Sequence, residues 1–256
     1  MSKPDVIVTA PYCLDYPLWR EEMEKNRHLF GDIYLMMYRD SRPLDFHAFV
    51  QQQTPWAKTV LMGQIGVGDW RNVCVTEALS RSSAERVLFL EQDFVALDDT
   101  FWPRFMKEAA SNDVMGFSDV TRQEFTSEKG SWQFGARLHP ACLLVTRDLI
   151  NKTRRDFSAY PNPPVDRDHF GVFTDELHML YKEGKVRFLP LEKYQDSWKH
   201  WAGVSWNYML AMDGKPPVYK TDEFREYVTR AMNAKVLQDE RFISLSKDAL
   251  RLLDTL

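Results

Sequence analysis

Short apolar runs alternate with amphipathic stretches along this chain, and the period of each predicts its element. Val6 to Ala10 and Asp32 to Tyr38 are β-rich runs ended by Pro11 and by the polar turn 39–43, with helical composition between them from Tyr16 to Leu29. Lys58 to Met62 reads as a third strand, Gly63, Gly66 and Gly68 as a turn, and Trp70 to Arg81 as a helix through Val73, Val75, Ala78 and Leu79. Residues 87–93, Val-Leu-Phe-Leu-Glu-Gln-Asp, form a fourth strand that runs from apolar residues straight into acids. Downstream, Asp99 to Ala110 and Thr174 to Glu183 read as helices, Val114 to Phe117, Ala141 to Val145 and Val186 to Leu189 as strands, and 121–137 as a polar connection long enough for a functional loop. Thr221 to Leu256 reads as a largely helical tail.

Strand and helix in alternation predict an α/β fold: a mixed, mostly parallel sheet flanked by helices, with ligands bound at the carboxyl ends of the strands. We expect one domain over 1–212, with halves at 1–98 and 99–212, and a helical C-terminal extension at 213–256. A chain of 256 residues suits one sizeable core. The formal charge of −4 gives no global pull toward nucleic acid or anionic lipid. Cys13, Cys74 and Cys142 are odd in number and widely spaced, which suits neither a disulfide framework nor a CxxC metal site. With no run near 18 apolar residues and no leader-like start, the expectation is a soluble, cytoplasmic protein without a membrane partner.

The chemistry concentrates at the end of the fourth strand. In extended backbone Glu91 and Asp93 share a side and Gln92 takes the other. Two carboxylates aimed at one point repel unless a cation lies between them, and hard cations such as Mg²⁺ or Mn²⁺ favour oxygen ligands and phosphates. A solvated strand end is the plain alternative. His200, among Trp198, Trp201 and Trp206, suits either a ligand or a core histidine, while His139, His169 and His178 fit ligand roles less well. The aromatics of 194–208 suit core packing as well as stacking on a ligand. The glycines at 63, 66 and 68 do not spell a dinucleotide fingerprint.

An apolar strand ending in acid-x-acid, behind a first half carrying Trp70-Arg71-Asn72 at a helix start, resembles the nucleotide-sugar glycosyltransferases of the GT-A fold. The likeness covers about residues 5–208 and implies a Rossmann-like, GT-A-like sheet. It implies that Asp93 ligates the metal (Mn²⁺ or Mg²⁺) on the donor diphosphate, with Glu91 beside the donor and the late His200 completing the shell. Glu in the first place departs from the usual DxD triplet. The resemblance further implies a catalytic base in the pair Asp175 and Glu176, with Glu176 the positional match, and hence inversion. Both acids also suit an ordinary first helical turn. Tyr12, Asp40, Arg71 and Asn72 are the implied donor-binding residues, and Trp132 and Trp201 the implied acceptor-binding ones.

The implied activity is transfer of a sugar from a nucleotide diphosphate donor, expected to be a UDP-sugar, to the hydroxyl of a saccharide, a protein, a metabolite or a hydroxymethylated nucleic-acid base. The alternatives are a nucleotidyltransferase, whose Gly/Arg/Lys-rich phosphate loop is not matched by Ala10-Pro-Tyr-Cys13, and an inactive nucleotide-sugar-binding module.

Overall fold

The structure is a computed structural model that describes residues 2–10, 16–38, 47–62, 70–119, 124–127, 130–133, 137–157, 171–234 and 239–255. Its strands are β1 (Asp5–Ala10), β2 (Ile33–Tyr38), β3 (Lys58–Met62), β4 (Arg86–Glu91), β5 (Phe94–Ala96), β6 (Val114–Asp119), β7 (Glu124–Ser127), β8 (Gly130–Gln133), β9 (Arg137–Thr146), β10 (Phe188–Pro190) and β11 (Trp198–His200). Its helices are α1 (Tyr16–Asn26), α2 (His47–Gln53), α3 (Trp70–Arg81), α4 (Phe101–Ala109), α5 (Arg147–Lys152), α6 (Gly171–Lys182), α7 (Val204–Met212), α8 (Thr221–Asn233) and α9 (Glu240–Leu253).

Seven strands form one sheet in the order β10-β6-β9-β4-β1-β2-β3. Strands β3, β2, β1 and β4 run parallel, β9 is antiparallel to both β4 and β6, and β10 is parallel to β6. The expected mixed, mostly parallel sheet flanked by helices is therefore what the chain forms. Strand β4 lies where strand direction reverses, between β1 and β9, and its tip is open to groups from both halves of the chain.

Apolar runs in β1, β2 and β4 are continuous because both faces of the sheet are covered. Val6, Val8, Leu88 and Leu90 face one core with Trp19 and Met23 of α1 and Trp102 and Phe105 of α4. Ile7, Val87 and Phe89 face the other, with Cys74, Val75 and Ala78 of α3, Ile150 of α5 and Phe173 and Leu177 of α6. Phe224, Tyr227 and Val228 of α8 and Phe242, Ala249 and Leu253 of α9 belong to the first core. The helices of 213–256 thus share the hydrophobic centre of the sheet. Among the described residues no helix is long and apolar enough to cross a membrane.

Several elements differ from the sequence expectation. Helix α6 begins at Gly171, so Thr174 is an interior residue, 1% exposed, and not the helix start. The carbonyl of Asp156 accepts from the Phe173 N–H and serves the helix start instead. Strand β9 starts four residues early and carries Pro140, which lacks a ladder donor; the register with β6 shifts between Gly116 and Ser118, a bulge in which such a residue is tolerated. Within 121–137, read as a loop, the described residues pair β7 with β8. The turn glycines at 63, 66 and 68 and Cys13 lie outside the described residues.

Candidate active site at the tip of strand four

The site is assembled by backbone pairing. Strand β4 ends at Glu91, the chain turns through Gln92 and Asp93, and β5 pairs antiparallel with β11, opposing Phe94 to His200. The Trp201 N–H donates to the Asp93 carbonyl at 2.8 Å, and the Leu97 N–H to the Ser197 carbonyl at 2.8 Å. Two three-residue strands therefore hold Asp93 and His200 side by side.

The side chains converge. His200 Nε2 is 3.4 Å from Asp93 Oδ1 and 3.5 Å from Glu91 Oε2, and all three side chains are 12–13% exposed. Both contacts are longer than ordinary hydrogen bonds, and Asp93 Oδ1 is buried without a well-aligned donor among the described residues. Burial opposes charge on the imidazole, but the negative charge of Asp93 first, and then the Glu91 carboxylate, outweigh it and push His200 up to about 10. Without a metal, a histidinium balances the two carboxylates. With metal–ligand bonds of roughly 2.1 Å, neighbouring octahedral ligands stand roughly 3 Å apart, so atoms at 3.4 and 3.5 Å need only a small closure to take a divalent ion. The residues fit one.

A second histidine joins them. Donor-type atoms of Glu91, His139 and His200 lie within 4.8 Å of one another. The His139 ring stacks on Phe117 at 4.8 Å and stands 4.7 Å from the His200 ring, while Phe117 also meets Trp198 at 4.8 Å. The sequence ranks His139 below His200 as a ligand, and nothing in Leu138-His139-Pro140 signals a strand. Its signal lies in β9 being the antiparallel neighbour of β4, a tertiary fact.

The remaining candidates divide. Trp201 is 1% exposed, packs edge-on to Tyr227 at 5.7 Å and lies beneath Lys199, whose Nζ is 3.8 Å from the ring centroid. That corrects its reading as an acceptor platform: the ring is a core pillar under β11. Asn72 is half-buried, and its Oδ1 accepts from the Phe157 N–H at 3.1 Å, tying α3 to the segment before α6. Glu176 lies in the second turn of α6, where it accepts from the Arg154 N–H at 2.9 Å and is ion-paired with the Arg154 guanidinium. Tyr12 and Asp40 lie outside the described residues, as do the side chains of Arg71, Trp132 and Asp175.

No family model matches this chain, and no curated protein matches it either. Solved structures resemble it at low identity. Staphylococcus aureus TarS 1–349, solved in complex with UDP-GlcNAc, is 13% identical with a TM-score of 0.43, covering 98% of this chain and 71% of that one. A 4-diphosphocytidyl-2C-methyl-D-erythritol synthase from Anaerococcus prevotii is 10% identical with a TM-score of 0.48, covering 74% and 87%. HddC from Yersinia pseudotuberculosis complexed with GMP-PN is 12% identical with a TM-score of 0.40, covering 64% and 87%.

Proposed function

We propose that this chain is a metal-dependent glycosyltransferase that moves a sugar from a nucleotide diphosphate donor to an acceptor hydroxyl with inversion. The observation that carries the reading is the meeting of Glu91, Asp93 and His200 at the carboxyl end of β4, where two acids and an imidazole are desolvated together. Asp93 and His200 would hold a Mn²⁺ or Mg²⁺ ion, with Glu91 beside it. When bound, the cation offsets the charge of a departing diphosphate.

The protein's own residues supply the rest. The Asp93 backbone is fixed by the Trp201 N–H, so the carboxylate can be aimed without reordering the chain. Transfer needs a base for the acceptor proton, and Glu176 is the candidate with Asp175 its rival. Arg154 occupies Glu176, so a base role there requires the guanidinium to withdraw as the acceptor enters. Donor contacts are assigned to Tyr12, Asp40, Arg71 and Asn72, and an acceptor contact to Trp132. The acceptor class is a saccharide, protein, metabolite or hydroxymethylated nucleic-acid base.

The test is donor breakdown over a panel of nucleotide sugars with and without Mn²⁺. Mn²⁺-dependent release of a nucleoside diphosphate from one donor, lost in Asp93→Ala, is the expected result. Pyrophosphate release from a nucleoside triphosphate and a sugar phosphate would instead make the chain a nucleotidyltransferase. Binding of nucleotide sugar without turnover would make it a binding module. Comparing Glu176→Gln with Asp175→Asn identifies the base, and wild-type rates in both would remove the pair from the mechanism.

A further inference from the structure

A two-stranded ladder with three residues a side is marginal by itself, and its outer edge leaves backbone donors to be satisfied from elsewhere. In the ladder of β5 with β11, the Leu97 N–H reaches the Ser197 carbonyl and the Trp201 N–H the Asp93 carbonyl, both at 2.8 Å. Successive residues of a strand turn their N–H groups to opposite edges, so Leu97 faces β11 and Ala96, one residue before it, faces away. On that outer side stands Glu22 of α1. Both of its carboxylate oxygens accept from the Ala96 N–H at 2.9 Å, and Oε1 also accepts from the Trp102 indole of α4. The carboxylate thus does for the outer edge of β5 what β11 does for the inner one.

We propose that Glu22 is a positioning residue of the cation centre: by holding the outer edge of β5 it keeps Asp93, three residues upstream, aimed at the point where His200 and Glu91 meet. The inference rests on the proposed metal-dependent reading of the site. A ligand is aimed well only when the element that carries it is itself fixed. The charged and titratable groups that face Glu22 are Lys25 on its own helix, which is paired with Asp99, and Cys142 of β9, a buried thiol that stays protonated. Burial outweighs Lys25 and raises the Glu22 carboxyl to about 8. Once ionised, the group is relieved by water, and the short β5 is the element that yields to admit it. A bare negative charge near a cation site acts the other way, drawing the cation in. The two effects therefore differ in sign.

The test measures the affinity of the full chain for Mn²⁺ alone, under argon, from about pH 7 to about pH 9. Glu22→Gln keeps an oxygen for Ala96 and Trp102 and is expected to match the wild type at the lower pH and to bind severalfold more tightly than it at the upper. Glu22→Met fills the space without accepting and is expected to lose severalfold affinity throughout, with faster amide exchange at Ala96 and Leu97. Thermal unfolding checks that it folds; should it not, the pH course of Glu22→Gln decides alone. A constant ratio between Glu22→Gln and the wild type, or a wild type that gains on the variant as pH rises, would overturn the proposal. Wild-type affinity in a folded Glu22→Met would do the same. No Mn²⁺ binding by the wild type would sink the metal-dependent function itself, and amide exchange in Glu22→Met would still report whether Glu22 holds β5.

Discussion

At the tip of β4 two carboxylates share one imidazole, and the arrangement has a sign that can be measured. His200 is raised from 6.5 to about 10, so its stabilising contribution is complete below about pH 6.5 and is lost as pH rises through 10. Metal-free protein is therefore expected to lose stability across that window in urea titrations, and Asp93→Asn to lose less, because the histidinium has one anion fewer. On the proposed metal-dependent reading, saturating Mn²⁺ is expected to replace the proton and to flatten the same dependence. The acids were legible in the sequence, since an apolar strand that ends in alternating carboxylates has few purposes. Trp201 was misread because an aromatic beside a histidine suits a stacking surface and a buried pillar equally; only its burial decides. His139 ranks low in the sequence for a different reason, as its neighbours in space come from strands β4 and β11.

Elements carry their own consequences. Glu22 of α1 is half-buried by surface, yet its carboxylate is desolvated: it accepts from the Ala96 N–H at 2.9 Å and from the Trp102 indole, clamping α1 to β5. Burial pushes it up to about 8, against the Ala96 and Trp102 donors and the charge of Lys25, all of which favour the carboxylate. Stability from this group is thus full below about pH 4.5 and lost as pH rises through 8. Glu22→Gln keeps an acceptor and removes the charge, so a flatter pH profile and greater stability at pH 9 are expected in thermal unfolding. Gly203 offers a second check. It takes φ of 84° at the start of α7, and a Cβ there would be driven into the Tyr219 ring. Gly184, with φ of 69°, has nothing within 4 Å of its own Cβ position. Gly184→Ala is expected to cost about 1–2 kcal/mol from the left-handed backbone alone, and Gly203→Ala clearly more. At this scale the long elements with clean periods, such as α3 and β3, could be read from the sequence. The three-residue strands β5 and β11 could not, because their pairing is set across the fold and not by local composition.

Across the whole molecule, the sheet has one hydrophobic centre on each face and the C-terminal helices complete the first. Phe224, Tyr227 and Phe242 are 0–2% exposed and pack in the cluster that holds Trp19 and Leu88. Removing 213–256 is therefore expected to unfold the remainder, with loss of a cooperative transition in circular dichroism, and not to trim a dispensable tail. Phe89→Ala, at 1% exposure between Phe157 and Phe173, is expected to cost about 3–5 kcal/mol by chemical denaturation. The sheet class was legible because strand and helix alternate through β4. The sharing of one core by the C-terminal helices was not, since an amphipathic helix declares that it has a partner without declaring which.

The short ladder between β5 and β11 joins Asp93 to a histidine encoded far later in the chain. An ion gripped by both would act as a removable staple across that long excursion of polypeptide. At a hundred times its dissociation constant it would add about 2.7 kcal/mol to the folded state, so chelation should loosen the whole molecule and not merely silence it.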